Sequence, residues 1–183
     1  MNDLRIVTAL PQSLRPAYEA LLASAGLRDE GDADCTALLS SDSGALLACG
    51  SVSGRVLKQI AVAPWAEGDG SCARIVTALL EESARRGMAH PFLYTKPKNA
   101  RLFRSLGFFP VAETADMLMM EHRRGGVERY IASLPAHDGE SSAVVCHANP
   151  FTRGHRYLVE YAAARCPHLY VFVLSEAVSY THL

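Results

Sequence analysis

The sequence carries no excess of charge of either sign. Eighteen Lys and Arg stand against 19 Asp and Glu, a formal net charge of −1 over 183 residues. Nucleic acid and anionic membrane surfaces attract chains with a cationic surplus, so no nucleic acid and no membrane is expected among the partners. Long hydrophobic runs are missing too: none approaches the ~20 residues of a membrane helix. The opening "MNDLRIVTALPQSLR" interleaves acid and base and lacks the apolar stretch of a secretory leader. No C-x-x-C pair occurs. The five cysteines, Cys35, Cys49, Cys72, Cys146 and Cys166, are odd in number and sit mostly in apolar runs. They read as reduced thiols of a cytoplasmic protein, not as a disulfide or zinc framework. Internal repeats and low-complexity segments are also lacking.

What is present is a chain 49% apolar, enough for a globular core. "PQSLRPAYEALLASAGL" repeats apolar residues at helical spacing, with Pro16 suited to the first turn and Gly26 to the stop. "CTALLSSDSGALLACGSVSGRVLKQIAVAP" reads as three strands joined at "SDSG" and "SG". "SCARIVTALLEESARRG" is a helix that Ser71 can cap, with Ile75, Leu79 and Leu80 on one face and Gly87 at its end. A short strand "HPFLYTK", a short helix "KNARLFRSLGFF", a strand pair or bent strand "FFPVAETADMLMMEH" and a helix "GGVERYIASLP" follow. The polar "AHDGES" is the best linker, which predicts domains over residues 1–135 and 136–183.

Two stretches of the first part carry a resemblance. In "IAVAPWAEGDGSCARIVTALL" a strand ends, a loop with Gly68 and Gly70 follows, and a helix begins. "KNARLFRSLGFFPV" supplies Asn99, Phe103, Gly107 and Phe108. Together they resemble the acyl-CoA N-acyltransferase (GNAT) fold. There, the resemblance implies, backbone N–H groups of the glycine loop and the helix start hold the pyrophosphate of CoA. Gly68, Gly70 and Asn99 would then receive a CoA-like arm. One departure stands out: Trp65 occupies the family's Arg or Gln position, and Glu67 and Asp69 flank the glycines, awkward company for a pyrophosphate. The alternative is that the glycines only make a turn before a helix.

After the linker, "SSAVVCHANP" has contiguous apolar residues and predicts a strand buried on both faces. "GHRYLVEYAAARC" is helical and "HLYVFVLS" a second buried strand, giving a parallel βαβ unit. Ligands of open α/β sheets bind outside the carboxyl ends of strands, here at "HANPFTRGH". That loop resembles the (H/T)xGH signature of the nucleotidyltransferase superfamily through Thr152, Gly154 and His155, with Asn149, Pro150 and Phe151 forming the turn. A His and a Thr hydroxyl at a helix start can donate hydrogen bonds to a phosphate under attack, and a Gly leaves room for the nucleotide. The resemblance implies that His155 and Thr152 are catalytic and that Asn149, Pro150, Phe151 and Gly154 bind the nucleotide. His147 reads either as a site residue from the strand end or as a capping, solvated His. Arg153 and Arg156 read either as phosphate contacts or as solvated helix charges. His90 and His168 open strands and read as structural.

The predicted fold class is therefore α/β: an α+β GNAT-like domain followed by the start of a Rossmann-like nucleotidyltransferase domain. That uncommon order, with "GRVLKQIAVAP", "FLYTKPKNARLFRSLGF" and "NPFTRGHRYLVEYAA", resembles the citrate lyase ligase family. The resemblance implies an ATP- and Mg2+-dependent ligase that makes acetyl-AMP from acetate. The acetyl group would then pass to the thiol of the CoA-like prosthetic group on the acyl-carrier (gamma) subunit of citrate lyase, in the cytoplasm. The likeness extends to about Glu176; "AVSYTHL" does not continue it, and the family's later Ser/Thr–Lys/Arg segment is not in the sequence. The expectation is an incomplete second domain, inactive by itself. Two other readings stay open: a GNAT N-acetyltransferase using free acetyl-CoA, and a non-catalytic module that binds an acyl-carrier protein.

Overall fold

The computed structural model describes residues 2–174. The segment "AVSYTHL" and Glu176 lie outside the described residues. The chain divides into two compact units, Met1–Ile131 and Ala132–Leu183.

The first unit is built on a seven-stranded sheet in the order β1-β2-β3-β4-β5-β7-β6. Its strands are β1 (Asp3–Val7), β2 (Cys35–Ser40), β3 (Leu46–Ser53), β4 (Val56–Val62), β5 (Phe92–Thr95), β6 (Phe109–Glu113) and β7 (Leu118–Glu121). Neighbours are antiparallel except β4 and β5, which are parallel. Strand β1, which the sequence reading passed over, is exposed along most of its length, although "DLRI" alternates polar and apolar residues.

Two helices cover the sheet's opposite faces, and β3 shows how. At Gly50 an added Cβ would stand 2.8 Å from Ile75 and 2.9 Å from Leu79, so that face meets α2 (Ser71–Arg85). Its neighbour Ser51 lies 3.3 Å from the hydroxyl of Tyr18, on α1 (Arg15–Ser24). Successive strand residues point to opposite faces. Hence β3 is buried along nearly its whole length, and its residues read as a continuous apolar run. Leu22, Leu39, Val52, Ile75, Val76 and Leu79 are fully buried in the resulting core. All five cysteines are free; burial pushes the Cys49 thiol up to about 12, so that thiol is inert at neutral pH.

A second packing centre closes the C-terminal side of this unit. Phe103 of α3 (Ala100–Ser105) meets Phe108 edge-on at 6.2 Å. Buried Glu121 accepts hydrogen bonds from the N–H groups of Gly126 and Val127, both at 2.9 Å, and lies 2.8 Å from His90 Nε2. The carboxylate thereby caps α4 (Gly126–Ala132). A side chain at Gly126 would collide with His90, which is why this position is glycine. His90 thus sits in a structural contact.

The second unit holds β8 (Ser141–Cys146), α5 (Arg153–Ala163) and β9 (His168–Val173). The strands pair in parallel from Ser141↔His168 to Cys146↔Val173. His168 stacks on His137 at 4.1 Å. The division between units falls after Ile131, so the polar "AHDGES" stretch lies inside the second unit. One expectation fails here. Strands β8 and β9 are not buried on both faces: of β8 only Val144 is buried, while Val145 is 61% and Val173 60% exposed. Contiguous apolar residues express a demand for cover on both faces, and the described residues of this unit meet only part of it.

Candidate active site

The T-x-G-H loop leaves the carboxyl end of β8, the end at which parallel strands present ligands. Ala148 adopts φ +48° and the Asn149–Pro150 peptide is cis. Pro150, Asn149 and His147 are exposed around this turn, and Phe151 stacks on the ring of His155 with centroids 5.9 Å apart. Thr152 is the N-cap of α5, extended at φ −98°, ψ 168°. Its hydroxyl oxygen accepts from the His155 N–H at 3.4 Å, and its own N–H donates to His155 Nδ1 at 3.0 Å. Thr152 Oγ1 is also 2.9 Å from Nδ1. This is a reciprocal capping box in which a histidine ring takes the place usually held by Glu or Gln. Thr152 and His155, the two residues expected to be catalytic, are brought into direct contact.

Gly154 stands one residue into α5, between them. A Cβ there would meet only Thr152 Oγ1, at an ordinary 3.6 Å. Nothing among the described residues requires glycine at this position, and glycine disfavours a helix by roughly 1 kcal/mol against alanine. Its missing side chain leaves the first turn of α5 open to an outside group. The backbone N–H groups of such a turn lack intrahelical partners and favour anions. Arg156 donates to Glu160 at 2.7 Å one turn on, both side chains well exposed, so it serves the helix surface. Arg153 is exposed at the first helical position.

The second candidate site lies in the first unit. Strands β4 and β5 pair only at Val56↔Phe92 and Leu57↔Leu93, and β4 continues without a β5 partner to Val62. Beyond the ends of these parallel neighbours come the Gly68–Gly70 loop and Asn99, so both emerge at the same end of the sheet. Gly68 and Gly70 adopt φ +83° and +87°, and neither would meet an atom within 4 Å if a Cβ were added. The N-cap of α2 is Gly70, not Ser71. The expected Ser71 cap is replaced by Asp69, whose carboxylate accepts the Ser71 N–H at 2.8 Å. Hydrogen bonds from Ser71, its side chain first and then its N–H, hold the Asp69 carboxyl below its ordinary value. An acidic side chain therefore already occupies a donor of the helix start. Asn99 Nδ2 donates to Thr95 Oγ1 at 2.9 Å, and Trp65 is 72% exposed.

Sequence reasoning missed one residue near this edge. Gln59 and Ile60 of β4 both oppose Gly50 of β3, a bulge at which Gln59 takes φ +55°. Its buried side chain accepts from Tyr18 Oη at 3.1 Å and donates to the Arg28 carbonyl at 3.1 Å. It floors an open cleft of about 410 Å³ that also involves Leu27, Lys58 and Tyr94. The polar pair "KQ" in an otherwise wholly apolar strand was the available signal.

Comparison with known proteins places these features. Residues 141–182 match the citrate lyase ligase C-terminal domain family. The citrate (pro-3S)-lyase ligase of Klebsiella pneumoniae is 40% identical over 153 residues, 81% of this chain and 45% of that protein. The Escherichia coli protein of the same name is 36% identical over 135 residues, 72% of this chain and 38% of its own length. Among solved structures, an acyl-CoA N-acyltransferase from Pseudomonas aeruginosa superposes with a TM-score of 0.59 at 16% identity, covering 67% of this chain and 100% of its own. Escherichia coli ElaA does so at 0.57 and 17% identity, with the same coverage. The first unit thus has the GNAT fold. The chain spans a little under half the length of the curated relatives that it matches. It is a homologue of the citrate (pro-3S)-lyase ligases, similar to them along most of its own length.

Proposed function

We propose that the chain carries two working parts of an ATP-dependent ligase that acetylates the prosthetic-group thiol of the citrate lyase acyl-carrier subunit. The relatives' shared name supports the ligase and its target. In the first step a carboxylate oxygen of acetate would attack the α-phosphorus of ATP, giving acetyl-AMP as pyrophosphate leaves. In the second, the carrier's thiolate would attack the acetyl carbonyl, giving the thioester as AMP leaves. No covalent protein intermediate is needed; positioning and charge stabilisation carry both steps.

The observation that carries this reading is the capping box with an unforced glycine inside it. His155 and the open first turn of α5 offer donors to an α-phosphate, and Gly154 leaves room for one. Asn149, Pro150, Phe151 and His147 would border the nucleotide. Mg2+ would enter with the phosphates of ATP. Among the described residues no three His, Cys, Asp or Glu side chains group to hold a metal. Gly68, Gly70 and Asn99 would receive the carrier's CoA-like arm. The Asp69 carboxylate at that helix start counts against any pyrophosphate seated there, of free CoA or of the carrier's arm, so the loop would meet the pantetheine stretch of the arm. The setting proposed is the cytoplasm. No described helix is long and apolar enough to cross a membrane.

The test uses the catalytic step. In the Klebsiella pneumoniae relative, alanine at the residue that aligns with His155 should lower acetate-dependent pyrophosphate release by about 10²-fold, the scale of one preorganised donor. Activity within a few-fold of the unmodified enzyme sinks the assignment. The 183-residue polypeptide itself should release no pyrophosphate above background.

A further inference from the structure

We infer that the capping box holds His155 as its neutral Nε2–H tautomer, and that Thr152 acts on a bound anion only through that ring, as a positioning residue. The inference builds on the nucleotide-site reading of this loop. A backbone N–H can only donate. The Thr152 N–H lies 3.0 Å from Nδ1, so Nδ1 must carry a lone pair. A proton on Nδ1 would set two N–H groups against each other and undo the cap. The Thr152 hydroxyl, 2.9 Å from the same nitrogen, completes a consistent set of roles. Nδ1 has a single lone pair, which the hydroxyl hydrogen shares with the Thr152 N–H in a three-centre bond, while the hydroxyl oxygen accepts the His155 N–H at 3.4 Å. With Nδ1 engaged, the ring's one proton belongs on Nε2, which makes no hydrogen bond among the described residues. The Phe151 ring, inclined by 26° to the imidazole, packs against it and resists the flip that would exchange the two nitrogens.

The consequence is chemical. A histidine free to sample both tautomers offers its Nε2 donor only part of the time. Here the start of α5 and the donor are set by the same three contacts, so the ring is preorganised before any phosphate arrives. Thr152 spends its hydroxyl hydrogen on the ring and has none left for the ligand. This differs from the sequence reading, in which Thr152 and His155 act side by side on the phosphate.

Side-chain 15N–1H correlation spectra of the 183-residue chain read the tautomer directly, with His155 assigned by comparison with His155→Gln. The expected spectrum shows Nδ1 as a bare nitrogen and Nε2 as a protonated one. Thr152→Ser should preserve it. Thr152→Val keeps the backbone donor but loses the hydroxyl, and should shrink the Nε2–H preference by about fivefold to tenfold, the scale of one lost hydrogen bond. A wild-type ring protonated on Nδ1, or an unchanged preference in Thr152→Val, overturns the inference. The wild-type spectrum decides the tautomer even if the valine variant fails to fold. Titration with ATP and Mg2+ separates the two levels: a correct tautomer whose Nε2 resonance ignores the nucleotide defeats the nucleotide reading and leaves the positioning role standing.

Discussion

Strands β3 and β8 are written in the same alphabet and end in different surroundings. "LLACGSVS" and "SSAVVC" both run apolar residues together instead of alternating them. In β3 the demand is met: α2 lies on the Gly50 face, α1 on the Ser51 face, and Leu46 to Val52 are buried. In β8 Val144 is buried while Ala143 and Val145, on the other face, are exposed. A contiguous apolar run therefore states what a strand needs on its two faces. It does not state whether the neighbouring residues supply it. The same contrast separates the two candidate sites. The glycine loop of the first unit follows a strand anchored in a complete core, whereas the T-x-G-H loop takes its order from contacts within four consecutive residues, Thr152 to His155.

The largest effect is expected where the core is complete. Leu79 is fully buried in α2 and touches the place where β3 has no side chain. Leu79→Ala should cost about 2–5 kcal/mol, transfer term and residual cavity together. Urea unfolding followed by amide hydrogen exchange should show the loss across β2, β3 and β4. Protection in α5, which belongs to the other compact unit, should be little changed. An equal loss of protection in α5 would mean that the units unfold as one.

A smaller effect belongs to the Glu121 cap. Glu121→Ala removes the acceptor for the N–H groups of Gly126 and Val127 and the partner of His90. Fully buried donors left unsatisfied cost about 1–3 kcal/mol, and these part-buried ones should fall toward the lower end. Exchange at those two amides should rise well before global unfolding begins, with α4 loosened and the β2–β4 core intact. Unaltered protection at both amides would show that the carboxylate is not their effective acceptor.

How much of this was legible follows from where the information is stored. The helices α1, α2 and α5, the meander and the parallel βαβ pairing were readable because each depends on local periodicity or turn residues. The glycine loop and the T-x-G-H loop were readable as motifs. What they do to their own neighbours was not. That Asp69 rather than Ser71 serves the start of α2, and that the His155 ring points back to the Thr152 backbone, depend on side-chain rotamers at a helix end, which spacing does not encode. The Gln59 bulge escaped notice because its cause is non-local: Gly50 opposes two residues, and Tyr18 from a distant helix holds the side chain. Strand β1 carries an alternation too short to stand out, five residues at the sheet edge and largely exposed.

The smallest effect is the sharpest measure of the comparison. Leu158 lies on α5 and is 45% exposed, with Tyr157 and Tyr161 beside it at 67% and 45%. Leucine and alanine are both good helix formers, so Leu158→Ala changes little in the helix itself. With no cavity to create, the substitution should alter stability by no more than about 0.5 kcal/mol, the range of surface changes. The same chemical change at Leu79 should cost several times as much, and the ratio of the two measures how unequally the units are covered. Exchange of the α5 amides in the single variant, at several protein concentrations, checks this. A loss above about 2 kcal/mol is the signature of a buried leucine. Seen here, it would mean that this face is covered in solution, and dependence on protein concentration would identify a second copy as the cover.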